Sequence, residues 1–414
     1  MQLFGAGVVG CALPDNRAQG KEQPTGLGQA KSVLHIHLSG GPSQLDIWDM
    51  KPESPSEVRG EFRSIPTKVP GIGICEHMPR LANQMEHWAI ARTLAHREHN
   101  HLLATHVCLK GRPTPVPRGG TDLDRVESRS DFPNFASALD YVRPRADGTP
   151  TGVSLPNYFI EGPLTWPGQH AGFLGAKHDP WQINHDPNDP NFRIQALSMR
   201  DGVTVGRMQS RRQLLEQLGR DRALGGDAND FLDQQEVAIN LLTSSGVVEA
   251  FEIGRESDET RDRYGRNKFG QSLLLARRLI QAGIPVVQAA MGIVQTWDTH
   301  SDNWGKLKKP LLHQLDMGLS ALMEDLVSSG VLDQTLVVVM GEFGRTPKIS
   351  TLPGQTLPGR DHWAHAYSGM FAGAGVLGGQ VIGQTDQQAA YPISRSFSPA
   401  DCLSTCLLYT SDAA

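Results

Sequence analysis

Five consecutive apolar residues, Leu336-Val337-Val338-Val339-Met340, end abruptly in the polar cluster Gly341-Glu342-Phe343-Gly344-Arg345. An apolar run of that length reads as a strand buried on both faces, which places the chain in an architecture with layers on either side of a sheet. Two further polar clusters flank it in sequence: Trp297-Asp298-Thr299-His300-Ser301-Asp302 and Gly359-Arg360-Asp361-His362-Trp363-Ala364-His365. Carboxylates and imidazoles at the carboxyl ends of strands can hold one or two divalent cations, and open α/β sheets bind ligands at that edge.

The remaining pattern agrees with such a sheet. Residues 32–38 alternate and stop at Ser39-Gly40-Gly41-Pro42, which predicts a first core strand and a sharp turn. Strands are also predicted over 88–91, 156–160 and 284–290. Helices are predicted over 78–87, 134–142, 208–218, 228–244, 268–282 and 311–327, and a further helix starts in the His-rich stretch 96–106. Residues 113–131 and 162–192 are rich in Pro, Gly and Asp and read as loops. Alternating strands and helices predict an α/β fold, a mostly parallel central sheet with helices on both faces.

A net charge of −5 over 414 residues gives no broad basic surface, which argues against nucleic acid as a partner. No apolar run is long enough to span a bilayer, so no transmembrane segment is expected. The five cysteines are scattered and imply neither a disulfide framework nor a zinc ribbon. Residues 3–13 form a short apolar, small-residue run followed by a polar stretch to Lys31, the shape of a secretory signal without its basic start. Residues 1–31 are therefore expected to be a truncated export signal and linker, with the protein exported to the periplasm or cell envelope.

Several ordered motifs resemble one bacterial family. They are Ser39-Gly40-Gly41-Pro42-Ser43-Gln44-Leu45-Asp46, Gly168-Gln169-His170-Ala171-Gly172-Phe173-Leu174-Gly175, Tyr264-Gly265-Arg266, Leu275-Ala276-Arg277-Arg278-Leu279, Trp297-Asp298-Thr299-His300, Gly341-Glu342-Phe343-Gly344-Arg345-Thr346-Pro347 and Gly359-Arg360-Asp361-His362-Trp363. On these the chain resembles domain of unknown function 1501, grouped with the alkaline phosphatase-like superfamily of sulfatases and phosphatases. The resemblance implies an alkaline phosphatase-like core over residues 32–401, with an irregular insert around 162–192 and a helical segment over 206–282. Family members often begin with a twin-arginine export signal, which residues 3–13 resemble in its apolar middle. Residues 402–414 do not fit the family's final helix and are expected to be a non-native tail.

The resemblance also suggests where chemistry would sit. In the superfamily an acid follows the first strand, a nucleophile starts a helix, and later Asp and His residues hold two metals. Here Ser39 stands where the first acid is usual, leaving Asp46 or Asp49 for that role; Asp46 could equally cap a helix. Counting back from Gly111 in the His101-to-Arg112 segment puts the nucleophile position at His101, which could accept a phosphoryl group, ligate metal or be structural. Thr105 and Cys108 are expected to pack inside that helix. Asp298, His300 and Asp302 offer a carboxylate–imidazole pair for a cation, two of the three pointing inward. Glu342 stands where the superfamily has Asp-His, and Phe343 replaces the imidazole, which implies one metal or a preference for oxygen ligands; Glu342 could instead pair with Arg345 or Arg360. His362 is preferred over His365 as the late metal-binding histidine. Arg345 and Arg360 could grip an anionic oxygen or fasten loops.

The expected ligand set is thus Asp46, Asp298, His300, Glu342 and His362 around a divalent ion (Zn, Mn, Mg or Ca), with His101, Arg345 and Arg360 as catalytic candidates. Trp166, His170, His178 and Trp181 could cover a substrate. The function implied is a metal-dependent hydrolase acting on a small anionic phosphate or sulfate ester. The alternative is a catalytically inactive binding or scaffolding protein on the same fold.

Overall fold

The computed structural model describes residues 30–113, 129–161, 164–165, 168–194, 197, 206–207, 210, 213–214, 239–242, 244–293 and 296–410. The export-signal segment, most of the helices expected over 208–218 and 228–244, and Trp166 lie outside the described residues.

Residues 33–38, 286–290 and 335–340 are buried without interruption, so both faces of their strands need cover. That requirement sets the architecture. The main sheet has eight strands: β1 (Ser32–His37), β2 (Ala89–Leu94), β3 (Gly152–Leu155), β4 (Trp181–Gln182), β5 (Val286–Ala290), β6 (Thr335–Met340), β7 (Tyr367–Ala372) and β8 (Gln380–Ile382), in the order β8-β2-β7-β6-β1-β5-β3-β4. Every neighbouring pair is parallel except the two involving β7 with β6 and β2, so β7 alone opposes the rest. The expected α/β fold with a mostly parallel sheet is the observed one.

Period-two alternation along β1 divides the core. Leu34, Ile36 and Leu38 face α2 (Lys268–Gln281) and α3 (Leu312–Ser328), packing with Leu273, Leu274, Leu315 and Leu319. Val33 faces the opposite layer, where α1 (His101–Lys110), the helix Phe135–Val142 and α4 (Pro399–Thr410) contribute Cys108, Phe135, Leu139 and Leu403. Each such leucine stabilises the fold by about 1.5–3 kcal/mol through removal of apolar area from water. Arg277 and Arg278 turn out of the α2 stripe to Glu256, and Arg277 also reaches Asp325.

Some elements differ from the pattern read in sequence. Of the strand expected at 156–160 only Ile160 is in one, the two-residue Ile160–Glu161, and the sheet strand lies earlier, at Gly152–Leu155, where Gly152 pairs with Val286 and fits close to Ala136 and Pro180. The helix expected over 78–87 splits into Pro79–Ala82 and a 3-10 turn, Met85–His87. At the carboxyl end, α4 runs continuously through residues 399–410, and Cys402, Leu403 and Cys406 are buried against the sheet.

Candidate metal centre

Strands β1, β5 and β6 are adjacent and parallel, so the loops after them emerge at one edge of the sheet. The loop after β1 turns through Gly40 and Gly41, both at positive φ. At Gly41 a Cβ would stand 2.6 Å from the Phe343 ring, so only glycine lets the β1 and β6 loops close on each other. Gly359 plays the same part on the other side, its missing Cβ leaving room for the Thr299 and His300 backbone.

These close approaches bring four side chains together. Asp298 Oδ1 lies 3.0 Å from His300 Nε2, 3.3 Å from His362 Nε2 and 3.5 Å from His101 Nε2. The His300 and His362 Nε2 atoms are themselves 2.9 Å apart. His101 is the first residue of α1, where the Asn100 side chain caps the helix by accepting from the Leu102 and Leu103 amides. His362 lies on a two-residue strand paired with Gly344–Arg345.

The outward ring nitrogen of each histidine is anchored. His101 Nδ1 donates to Glu342 Oε1 at 2.6 Å, His300 Nδ1 to Asp361 Oδ1 at 2.8 Å, and His362 Nδ1 to the His99 carbonyl at 2.7 Å. Carboxylates and carbonyls only accept, so in a neutral ring the proton sits on Nδ1 and the Nε2 lone pair faces inward, whereas in a protonated ring, the form that Asp298 favours for His101 and His300, Nε2 donates to Asp298 instead. Three Nε2 atoms and a carboxylate oxygen thus face one another, and either protons on the rings or a cation in their place supplies the positive charge between them. Donors of a tetrahedral cation at about 2.0–2.1 Å stand roughly 3.3 Å apart, close to the separations of Asp298 Oδ1 from the three Nε2 atoms. Such donors could hold a divalent ion, and the anchoring resembles that of metal-ligating histidines. His101, Asp298 and His362 in particular form a group that could hold a metal, their ligand atoms within 4.8 Å of one another.

Titration follows the same geometry. Burial opposes charge on Asp298, but bonds from His101, His300, His362 and the Arg345 guanidinium hold its carboxyl far below the usual range. For His101 burial also opposes charge, yet Asp298 and Glu342 raise its pKa to about 9. The bond to Asp298 raises His300, whereas burial keeps His362 below the ordinary value. Side-chain exposures of 29% for His300 and 22% for His362 leave the cluster open to solvent on one side.

The other residues singled out in sequence have different surroundings. Glu342 is wholly buried, accepts from the Gly40 amide at 2.9 Å and points at His101 Nδ1, behind the converging atoms. Arg345, also wholly buried, gives Nε to the Gly41 carbonyl and Nη2 to the carbonyls of Gly40 and Trp297, while Nη2 also reaches Asp298 at 2.6 Å. Asp46 is not among the converging groups. Its oxygens are taken by Ser43, Asn303, Trp304 and Arg360, the last at 2.8 Å. Arg360 spends its other donors on the Val58, Thr346 and Pro347 carbonyls. Asp49 binds Lys51, Arg92 and Thr385. Of the trio near 300, Asp298 and His300 turn inward, and Asp302 precedes a short helix at positive φ without capping it. His178 and His170 are bonded within their own region, to Asp140 and the Gly172 amide, and Trp181 packs on Phe251. Asp361 and the His99 carbonyl, which aim two of the imidazoles, were not singled out in sequence; the spacing of Asp361 directly before His362 was the available signal.

The sequence profile of a family described as a protein of unknown function, DUF1501, matches residues 30–411. The chain belongs to that family. No curated protein matches it. Among solved structures it is similar to an alkaline phosphatase from the Antarctic bacterium TAB5, at 12% identity and a TM-score of 0.37, over 92% of this chain and 98% of the other. It is also similar to a sulfatase from Pseudoalteromonas sp., at 12% identity and a TM-score of 0.42, over 93% and 68% of the two chains. A third is the lipoteichoic acid synthase of Listeria monocytogenes, at 11% identity and a TM-score of 0.38, over 94% and 74%. Among the described residues of this DUF1501 chain, no helix is long and apolar enough to cross a membrane.

Proposed function

We propose that this protein is a metal-dependent hydrolase acting on a phosphate or sulfate ester, with one divalent cation held by Nε2 of His101, His300 and His362 and by Asp298. The observation that carries this reading is the convergence of three imidazole Nε2 atoms on Asp298 Oδ1, each ring fixed from behind. A bound cation would supply Lewis acidity toward an ester oxygen and a lowered pKa for water. Nitrogen-rich donors favour Zn²⁺ or a similar transition metal over Mg²⁺ or Ca²⁺.

The chain's own residues do the positioning. Glu342 holds His101 in the tautomer that presents Nε2, and Arg345 balances the Asp298 charge while tying the β1 loop to it. Within this reading His101 is a ligand rather than a nucleophile, Glu342 and Arg345 are positioning groups, and Asp46 with Arg360 is a structural pair. Thr105 and Cys108 lie buried within α1, with Cys108 Sγ 3.6 Å from the Glu342 carbonyl. Residues 3–13 support export of the protein from their composition alone; an uncleaved N-terminus on cytoplasmic native protein would refute that.

A second reading, a binding or scaffolding protein, is favoured by one feature: the helix start that would carry a hydroxyl or thiol nucleophile carries His101. Metal analysis and turnover on 4-nitrophenyl phosphate and 4-nitrophenyl sulfate separate the two. The hydrolase reading expects about one equivalent of divalent metal and turnover that disappear together in His362→Ala. Metal without turnover on either ester favours the binding protein, and absence of metal from the wild type removes the proposed centre.

A further inference from the structure

Beside the imidazole cluster lies a second group of rings that the proposed chemistry does not use. His362 and Trp363 are consecutive in a strand, so their side chains leave opposite faces. His362 turns to Asp298, whereas Trp363 packs edge-on against His365, 4.9 Å between centroids, and Tyr391, 5.5 Å. His365 and Tyr391 lie 5.5 Å apart with planes only 33° from parallel, and His99 meets His365 at 4.7 Å. The indole N–H of Trp363 donates to the Ala390 carbonyl at 2.7 Å, which fixes the ring to the loop that carries Tyr391. Tyr391 is 51% exposed, and His99 is exposed at the other end. His99 also joins the two groups, since its carbonyl anchors His362 while its ring packs on His365.

A fixed aromatic face, open to solvent at Tyr391 and tied through His99 to the imidazole cluster, offers a surface for a ligand. A pyranose ring matches its chemistry: the C–H face of a sugar stacks on an aromatic ring, and its hydroxyls meet polar groups at the rim. Two imidazoles and a phenol supply that rim, where a lipid chain would desolvate them without return. We propose that Tyr391, backed by Trp363 and His365, is a sugar-stacking subsite, and that the ester acted on is carried by a carbohydrate. This rests on the cation reading for the ester end alone; the stacking itself does not need the metal.

The test is calorimetric titration of the full chain with a sulfated galactan tetrasaccharide and with the same tetrasaccharide desulfated, using wild type, Tyr391→Ala, Tyr391→Phe and His362→Ala. Both sugars are expected to bind wild type. Tyr391→Ala should weaken both by roughly tenfold and Tyr391→Phe by no more than about twofold, because the ring face is retained. Turnover of 4-nitrophenyl esters, which carry no sugar, should be unchanged in Tyr391→Ala. Failure of the desulfated tetrasaccharide to bind wild type, or equal binding by Tyr391→Ala, overturns the subsite. The two readings fail separately. A protein with no metal that still binds desulfated sugar through Tyr391 keeps the subsite and loses the cation, and one with metal and ester turnover but no sugar binding does the reverse.

Discussion

Two carboxylates that follow strands of the sheet, Asp46 in the short helix Gln44–Ile47 and Asp298 in a loop, each sit against an arginine, yet their surroundings differ in kind. Asp46 is fully buried and saturated by a guanidinium, an indole N–H, an amide and a hydroxyl, all of which donate whatever the pH near neutrality. Asp298 is partly open, and three of its neighbours are imidazoles whose back nitrogens are already committed. Permanent donors complete a carboxylate. Ring nitrogens that can give up their protons leave a place for a cation. The partners of an acid, more than the acid, tell whether it fastens the fold or holds a ligand.

The contrast breaks most visibly at the closed end. Removing the Asp46 carboxylate in Asp46→Ala leaves Arg360 charged, buried and without its carboxylate partner, so unfolding in urea should show a loss of about 3–5 kcal/mol. A loss below 1 kcal/mol would mean that Asp46 is not the structural member of the pair. At the open end, Glu342→Gln removes the anion behind His101 while keeping its shape. The affinity for Zn²⁺, measured by competition with a chelating dye, should fall roughly 10- to 100-fold while the fold persists. An unchanged affinity would separate Glu342 from the centre.

A third buried acid gives an intermediate case. Burial raises the Asp131 pKa, but bonds from His106 and Lys110 outweigh it and hold the carboxyl below its usual range. A group depressed in the folded state contributes stability above the unfolded carboxylate pKa, near 3.9, and that contribution is lost as pH falls toward the folded value. Asp131→Asn should therefore flatten the acid limb of the stability curve below about pH 4 and leave metal binding alone; a mutant whose acid limb matches wild type would show the pairing to be without effect. The smallest effect is expected from Asp302→Asn, which keeps a residue tolerant of positive φ and lies outside the converging atoms. Its metal affinity and stability should match wild type within about 0.5 kcal/mol, and a tenfold weaker affinity would instead place Asp302 in the coordination sphere.

Much of the scaffold was legible because it rests on local pattern. The runs at 32–38 and 336–340 have only one way to be buried, and α2 and α3 carry their stripes at helical spacing. Asp298 and His300 were legible from their position beyond a strand, and His362 from its motif. What local pattern could not convey was pairing across the chain. Asp46 and Arg360 are 314 positions apart, and nothing near either one distinguishes an acid that meets a guanidinium from one that meets a metal. The same holds for His101, whose orientation is set by Glu342 from 241 positions away. Strand limits shifted as well, as at Gly152–Leu155, where Gly152 fits close to Ala136 and Pro180.

Glu342 touches both the Gly40 amide beyond β1 and the first histidine of α1, so the alignment of two neighbouring strands works as a ruler for the whole cluster. In the observed register His37 stands opposite Met340. A slip of one residue would turn every side chain of β6 to the other face and carry Glu342 away from His101. The same backbone ladder that closes the core thereby aims an imidazole nitrogen, and core substitutions far from the sheet edge that loosen this ladder would be felt there first.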